Sequence, residues 1–252
     1  MSFNSPPMSI WIGYDPRPTQ VAAFAIAKYS IQRFNRLIPI EGIVLEDLRK
    51  AGLYYRPEKS VGEQKWDVIS DAPVSTDFSI SRFLVPILAK QGWALFCDPD
   101  TLFRANVTKL FDLGRREKAV MCVQHNYEQV EGVKMDGKIQ TAYPRKNWSS
   151  VMLFNCEHPS NKKLTVDLVN TVPGRDLHRF CWLEDHEIGE LPPEWNYCPG
   201  LSKLNGKSPS VVHFTSGLPN VPGYENQEYA DEWQQCLPCA VGAKQMGWAS
   251  GC

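Results

Sequence analysis

Asp98 and Asp100 stand one residue apart in LFCDPDTLF (95–103), the stretch in which the apolar run WALFC (93–97) ends. Two carboxylates held this close repel each other, and a divalent cation between them removes the repulsion. On extended backbone, residues i and i+2 project to the same side, so both side chains can meet one ion. Mg²⁺ and Mn²⁺ take one or two carboxylates and complete an octahedral shell with water and substrate phosphates, which makes a diphosphate the implied substrate. The competing reading is a plain turn, because Asp and Pro both favour turns. His213 closes another apolar run, VVHF (211–214). It is either a structural strand-end residue or the nitrogen ligand of a mixed set that favours Mn²⁺ over Mg²⁺. A third polar cluster, LEDHEIGEL (183–191), presents Glu184, Asp185, His186 and Glu187 in succession. It reads either as the solvated start of a short helix or as a loop offering polar groups to a sugar. Cys236 and Cys239 form one C-x-x-C with no second pair at zinc-site spacing.

The elements around these residues set where they fall. SIWIGY (9–14) reads as a buried strand broken by DPRP, and Thr19 can cap a helix whose apolar face is Val21, Phe24, Ile31 and Phe34. IPIEGIVL (38–45) is a second strand, so strand, helix and strand form a parallel crossover. Residues 54–76 are polar and too long for an ordinary connection, which predicts disorder or a functional lid. FSISRFLVPILAKQG (78–92) is predicted helical, kinked at Pro86 and ended by Gly92. WALFC then reads as a strand covered on both faces, which puts Asp98 at its carboxyl end, where ligand crevices of open α/β sheets lie. AVMCV (119–123) and SVMLFN (150–155) are further buried strands, separated by an excursion whose Asp136-Gly137 pair signals a hairpin. VVHF is the last strong strand, and the tail from Gly223, with Trp233 and Trp248, shows no repeat.

Composition narrows the function classes. With 252 residues and 43% hydrophobic content the chain can bury the core of one large domain. A formal charge of −1 provides no basic field for nucleic acid or anionic lipid. No stretch approaches the length of a membrane span, and MSFNSPPMSIWIG lacks the pattern of a signal peptide, so a soluble cytoplasmic protein is expected. Cys97, Cys122 and Cys156, three of the eight cysteines, sit in strand-like runs, which predicts reduced, buried thiols. The sequons at Asn106 and Asn147 would matter only on a secretory route.

Taken in order, IWIGYD, SRFLVPIL, LFCDPDTLF, WSSVMLFN, EDHEIGELPPEWN and VVHFTSG resemble the family 8 retaining glycosyltransferases and their glycogenin-like relatives. The resemblance covers about residues 9–220, with a C-terminal extension over about 221–252. It implies an α/β, GT-A-type, Rossmann-like fold, a mixed and mostly parallel sheet flanked by helices, within a single domain spanning 1–252. It also implies that Asp98, Asp100 and His213 hold Mn²⁺, with Mg²⁺ as the alternative, bridging the phosphates of a UDP-sugar. Gly13, Tyr14 and Asp15, with Arg17 nearby, would contact uridine or ribose, and Arg82 would orient the sugar or the metal-bound carboxylates. Asp185 falls where the family grips the donor sugar's hydroxyls, and His186 stands where it usually has glutamine. Trp148-Ser149-Ser150 replaces a common Asn-Ala-Gly, and no lysine follows His213.

The activity implied is transfer of a hexose from UDP to a saccharide or other hydroxyl acceptor with retention of configuration. An inverting enzyme would instead need a carboxylate base, for which Asp185 or Glu187 would serve. Residues 54–76 and 125–148 would frame the site, with Trp66, Tyr143 and Trp148 available to stack on sugar rings. Two other classes share these features: a non-catalytic nucleotide-sugar or glycan-binding protein, and a metal-dependent diphosphate hydrolase.

Overall fold

The computed structural model describes residues 7–125, 132–133, 139–140, 145 and 147–245. Its strands are β1 (Met8–Gly13), β2 (Ile40–Ile43), β3 (Glu58–Val61), β4 (Gln64–Asp67), β5 (Ala72–Pro73), β6 (Trp93–Cys97), β7 (Thr101–Phe103), β8 (Val120–Cys122), β9 (Gly132–Val133), β10 (Ile139–Gln140), β11 (Val151–Asn155), β12 (Ile188–Glu190) and β13 (Val211–His213). The α-helices are α1 (Pro18–Gln32), α2 (Leu45–Lys50), α3 (Val85–Ala89), α4 (Thr108–Phe111), α5 (Val166–Thr171), α6 (Gly174–His178) and α7 (Ala230–Gln245).

The central sheet has the order β12-β8-β11-β6-β1-β2. Only β11 runs against its neighbours, and the other pairings are parallel. The expected crossover is present: β1 and β2 pair in parallel, with Gly13 opposite Ile43, and α1 connects them. All five residues of β6 are buried. Ala94 and Phe96 enter one apolar cluster with Met152, Phe154 and Phe83, while Leu95 and Cys97 enter the cluster on the opposite face with Ile10, Ile12 and Leu153. Alternation between two covered faces is why this strand reads as an unbroken apolar run.

Several local expectations change. The buried stripe of α1 is Ala23, Ile26, Ala27, Ser30 and Ile31, while Phe34 lies beyond the helix and is 42% exposed. The helix is wedged between two layers: Ala27 and Ile31 pack on the sheet side, Ala23 and Ile26 against Trp233 and Cys236 of α7. Small side chains suit that double contact better than the phenylalanines chosen on periodicity. Arg17 takes the N-cap position and Pro18 the first turn, where its fixed φ and missing N–H are tolerated, so Thr19 is already inside the helix. Pro86 likewise opens α3 directly after a 3₁₀ turn over Ser81–Leu84, so it does not kink a longer helix. Gly92 does not end α3 but enters β6 at φ +70°, where a Cβ would lie 2.0 Å from the Pro7 carbonyl oxygen.

Residues 54–76 are neither disordered nor structureless. They form the antiparallel meander β3-β4-β5, fixed to α5 by Arg56. Its buried guanidinium pairs with Asp67 through both carboxylate oxygens and donates to the carbonyls of Val169 (2.9 Å) and Val172 (2.7 Å). β9 and β10 pair antiparallel, but the Asp136-Gly137 pair lies outside the described residues. The tail that showed no repeat contains α7, whose Trp233 is fully buried and whose Glu232 forms an ion pair with Arg104 at 2.7 Å. Cys236 is a packing residue of that interface, and the seven described cysteines are free thiols. Among the described residues, no helix is long and apolar enough to cross a membrane.

Candidate metal and donor site

Asp98 follows β6 at its carboxyl end, and the Ile12–Cys97 pairing places the end of β1 alongside it. The chain then leaves the central sheet. β7 pairs antiparallel with β13 in a separate two-stranded ribbon, with His213 opposite Thr101, and this register carries His213 to the paired aspartates. His213 Nε2 lies 3.4 Å from Asp100 Oδ1 and 3.9 Å from Asp98 Oδ2. One ligand-type atom from each of the three residues falls within 4.8 Å of the others, which is the one such cluster among the described residues. Asp98-Pro99-Asp100 turns here instead of staying extended, so the carboxylates converge by a route different from the i, i+2 geometry of a strand. Backbone bonds lock the turn: Asp98 N donates to Ser150 O (2.8 Å), Phe214 N to Asp100 O (2.9 Å) and His213 N to Tyr197 O (2.8 Å).

The electrostatics follow from burial and like charge. Asp98 is pushed up to about 6, first by burial and also by Asp100, against the pull of Arg82. Burial alone would lower His213, but the Asp100 carboxylate overrides it and holds the imidazole well above its ordinary range. Arg82, itself buried, places Nη1 2.9 Å from Asp98 Oδ1 and donates from the same nitrogen to Ser149 O at 2.8 Å. A cation accepting two carboxylates and one imidazole would offset both the burial of Asp98 and its repulsion from Asp100, so the residues present fit a divalent-cation site.

Gly13, Tyr14, Asp15 and Arg17 lie at the same end of the sheet as Asp98, at the carboxyl end of β1 and the start of α1. A Cβ on Gly13 would lie 2.5 Å from the Phe78 ring, and Phe78 in turn lies under the Arg82 guanidinium at 5.4 Å. Glycine here admits the ring that supports Arg82. Asp15 is buried and grips Arg17 through both oxygens (2.8 Å each), and it also accepts from Asp77 N at 3.2 Å. Burial pulls its carboxyl upward, and these Arg17 bonds bring it below the usual carboxylate range. Tyr14 packs edge-on against Phe24, with ring centroids 5.3 Å apart.

Asp185 and His186 are not brought to this cluster. They form a 3₁₀ turn before β12, at its amino end, and β12 runs parallel to β8 with Ile188 opposite Val120. β8 and β6 both pair antiparallel with β11, so the three strands point the same way and the turn lies at the end away from Asp98. Both residues are exposed; Asp185 pairs with Arg145, and Lys118 Nζ donates to the His186 carbonyl at 2.6 Å. A cavity of about 770 Å³ beside this edge is lined by Asp185, Arg115, Lys118, Gln124 and Glu190 and contains none of the three clustered residues. Of the aromatics, Trp66 sits on β4 with its indole N–H on Asp71 (3.0 Å), and Trp148 donates to the His125 carbonyl (3.1 Å), while Tyr143 lies outside the described residues.

Sequence reasoning missed four polar residues that the fold places around the cluster. His125, beyond the carboxyl end of β8, is held down to about 4 by burial and by His213. His178, at the end of α6, is held down to about 3 by burial and by Arg82, and its Nδ1 lies 2.6 Å from Ser149 Oγ. Ser150 and Asn196 share a hydrogen bond of 2.9 Å on the His213 side. The Ser149-Ser150 pair before β11 was the one visible signal, because it offers two hydroxyls. Nothing in the spacing marked His178 or Asn196.

No family model matches the chain. Protein CDI of Arabidopsis thaliana is 43% identical over 238 residues, covering 92% of this chain and 86% of that protein. Among solved structures, the apo bifunctional glycosyltransferase WbbM superposes with a TM-score of 0.60 at 15% identity, over 97% of this chain and 52% of its own length. GlyE, a glycosyltransferase of Streptococcus pneumoniae TIGR4, gives 0.56 at 14% identity, over 96% of this chain and 64% of GlyE. The chain thus spans about half of WbbM and just under two thirds of GlyE. The galactosyltransferase LgtC, solved in complex with donor and acceptor sugar analogs, gives 0.56 at 13% identity over 92% of this chain and 96% of LgtC. At these identities the likeness establishes architecture, a GT-A-type α/β fold with a mainly parallel central sheet. The chain belongs to the family of the Arabidopsis thaliana protein CDI, on a GT-A glycosyltransferase fold.

Proposed function

We propose that this chain is a family 8 type glycosyltransferase that moves a hexose from a UDP-sugar to a saccharide or other hydroxyl acceptor, with retention of configuration, as one domain. The observation that carries the reading is the convergence of Asp98, Asp100 and His213 at the carboxyl end of β6, on the fold that LgtC and GlyE share. Asp98, Asp100 and His213 would hold Mn²⁺, or Mg²⁺ in its place, facing the donor's diphosphate. Bound there, the metal supplies Lewis-acid stabilisation of the charge that develops on the leaving UDP. Arg82 keeps Asp98 oriented and its negative charge partly offset before metal arrives. Gly13, Tyr14 and the Asp15–Arg17 pair would contact uridine and ribose, a role that their place at the carboxyl end of β1, the same end of the sheet as Asp98, supports. Retention requires no side-chain base opposite the leaving group. The reading rests on the three clustered residues; a contact from Asp185 or His186 to the donor sugar would require their turn to leave Arg145 and swing toward the cluster. Free thiols at the described cysteines support a reducing, cytoplasmic setting.

The test is product analysis. Purified protein is incubated with UDP-hexoses and saccharide acceptors, with Mn²⁺ and then with chelator. UDP release that depends on both metal and acceptor is the expected result. Release of UMP and sugar phosphate would mark a diphosphate hydrolase instead, and UDP binding without turnover on any pair would mark a binding protein.

A further inference from the structure

Asn196 is fully buried beside His213, placed there because Tyr197 bridges to β13 and accepts the His213 backbone N–H. Its amide orientation is fixed by its neighbours. The Asn147 carbonyl can only accept, and it lies 3.4 Å from Asn196 Nδ2. Ser150 Oγ donates its one proton to that same carbonyl at 2.7 Å, so toward Asn196 it can only accept, at 2.9 Å. The NH₂ therefore faces Ser150 and Asn147, and Oδ1 faces His213 Nδ1 at 3.1 Å. An oxygen with no proton must accept, so when His213 is neutral, as a metal ligand must be, its proton sits on Nδ1 and Nε2, the nitrogen that faces Asp98 and Asp100, is left as the ligating atom. The Cys198 thiol, 3.7 Å from Nδ1, is a much weaker partner on the same side. Ser150 also accepts the Asp98 N–H through its carbonyl at 2.8 Å, so one residue braces both the carboxylate and the imidazole sides of the cluster.

We propose that Asn196, held in orientation by the Ser150 hydroxyl, is a positioning residue that fixes the His213 tautomer so that Nε2 is presented as a metal ligand. This inference rests on the metal assignment above. Outer partners of a ligating histidine set its ring orientation and basicity, and their loss typically lowers metal affinity about 10–100-fold. Alanine at Ser150 or Asn196 removes one link of this chain, whereas Asp at 196 keeps an acceptor against Nδ1.

The experiment titrates Mn²⁺ into the purified full chain and counts free ion by electron paramagnetic resonance, comparing wild type with Asn196→Ala, Asn196→Asp, Ser150→Ala and Asp100→Asn. Asn196→Ala is expected to bind about 10–100-fold more weakly, and Ser150→Ala several-fold more weakly, while Asn196→Asp stays within a few-fold of wild type. Ring-nitrogen NMR of the Mg²⁺-loaded wild type is expected to show His213 protonated at Nδ1 and not at Nε2. Should Asn196→Ala fail to fold, Ser150→Ala and the NMR signature decide the matter. Undiminished Mn²⁺ affinity in Asn196→Ala, or in Ser150→Ala where that must stand in, overturns the positioning role alone, as does a proton on Nε2 in the loaded protein. A wild type that binds Mn²⁺ no better than Asp100→Asn overturns the metal assignment and this inference with it.

Discussion

Asp100→Asn is expected to lower kcat/KM for transfer from the cognate UDP-sugar by more than about 100-fold, and to abolish the added thermal stability that Mn²⁺ and UDP give the wild type. The substitution keeps the shape of the side chain and removes its charge. Asp100 supplies an oxygen within 3.4 Å of His213 Nε2, so it binds the two halves of the cluster electrostatically as well as facing the ion. Without it, Asp98 and His213 offer one carboxylate and one imidazole, a set too poor in oxygen and charge to retain Mn²⁺ against water. Steady-state kinetics alongside melting curves with and without metal check this. A variant that melts as a folded protein and transfers sugar at the wild-type rate would show that Asp100 is only a turn residue.

A second large effect is expected far from the chemistry, at Asp67→Asn, with a loss of about 3–5 kcal/mol of stability and roughly 10 °C in Tm at neutral pH. Arg56 is buried, and among the described residues Asp67 is its one carboxylate partner, in an ion pair that ties β4 to α5. Removing the countercharge leaves a guanidinium in the core with only carbonyl and hydroxyl partners. The pH dependence has a definite sign. Burial pulls the Asp67 carboxyl upward, but its bonds to Arg56 and Ser70 bring it below the usual carboxylate range. A carboxylate lowered in the folded state contributes stability that is complete above its unfolded pKa, about 4, and is lost as pH falls through the lower folded value. Urea unfolding at several pH values should therefore show a steeper acid loss in wild type than in Asp67→Asn. A variant within about 1 kcal/mol of wild type at neutral pH would mean that the meander contributes little to the cooperative fold.

The central sheet was legible because its strands are continuous apolar runs ended by turn residues, and β6 in particular could hardly be read otherwise. The paired aspartates and His213 were legible because each ends such a run. Helix detail was less so: α1 is squeezed between the sheet and α7, and no local pattern reveals that a distant C-terminal helix will cover its second side. The meander over 58–73 escaped because polar, charged strands do not alternate clearly, and its order depends on one buried ion pair with Asp67. The place of the Asp185–Glu187 turn at the amino end of β12 follows from the parallel register of β12 with β8, which no motif states. The bracing residues Ser149 and Ser150, His178 and Asn196 come from three segments that meet only in three dimensions, so their joint role belongs to the fold.

The most direct test of the account is the thermal shift of the purified protein titrated with UDP, first with Mn²⁺ and then with chelator. At about 100 times its dissociation constant a ligand adds roughly 2.7 kcal/mol, which for a chain of this size corresponds to about 5 °C or more. The account predicts a shift that requires UDP and Mn²⁺ together and is missing in Asp100→Asn. A shift with UDP that persists unchanged under chelation, or no shift with UDP and Mn²⁺ together, would contradict a metal-dependent UDP-sugar site built from Asp98, Asp100 and His213.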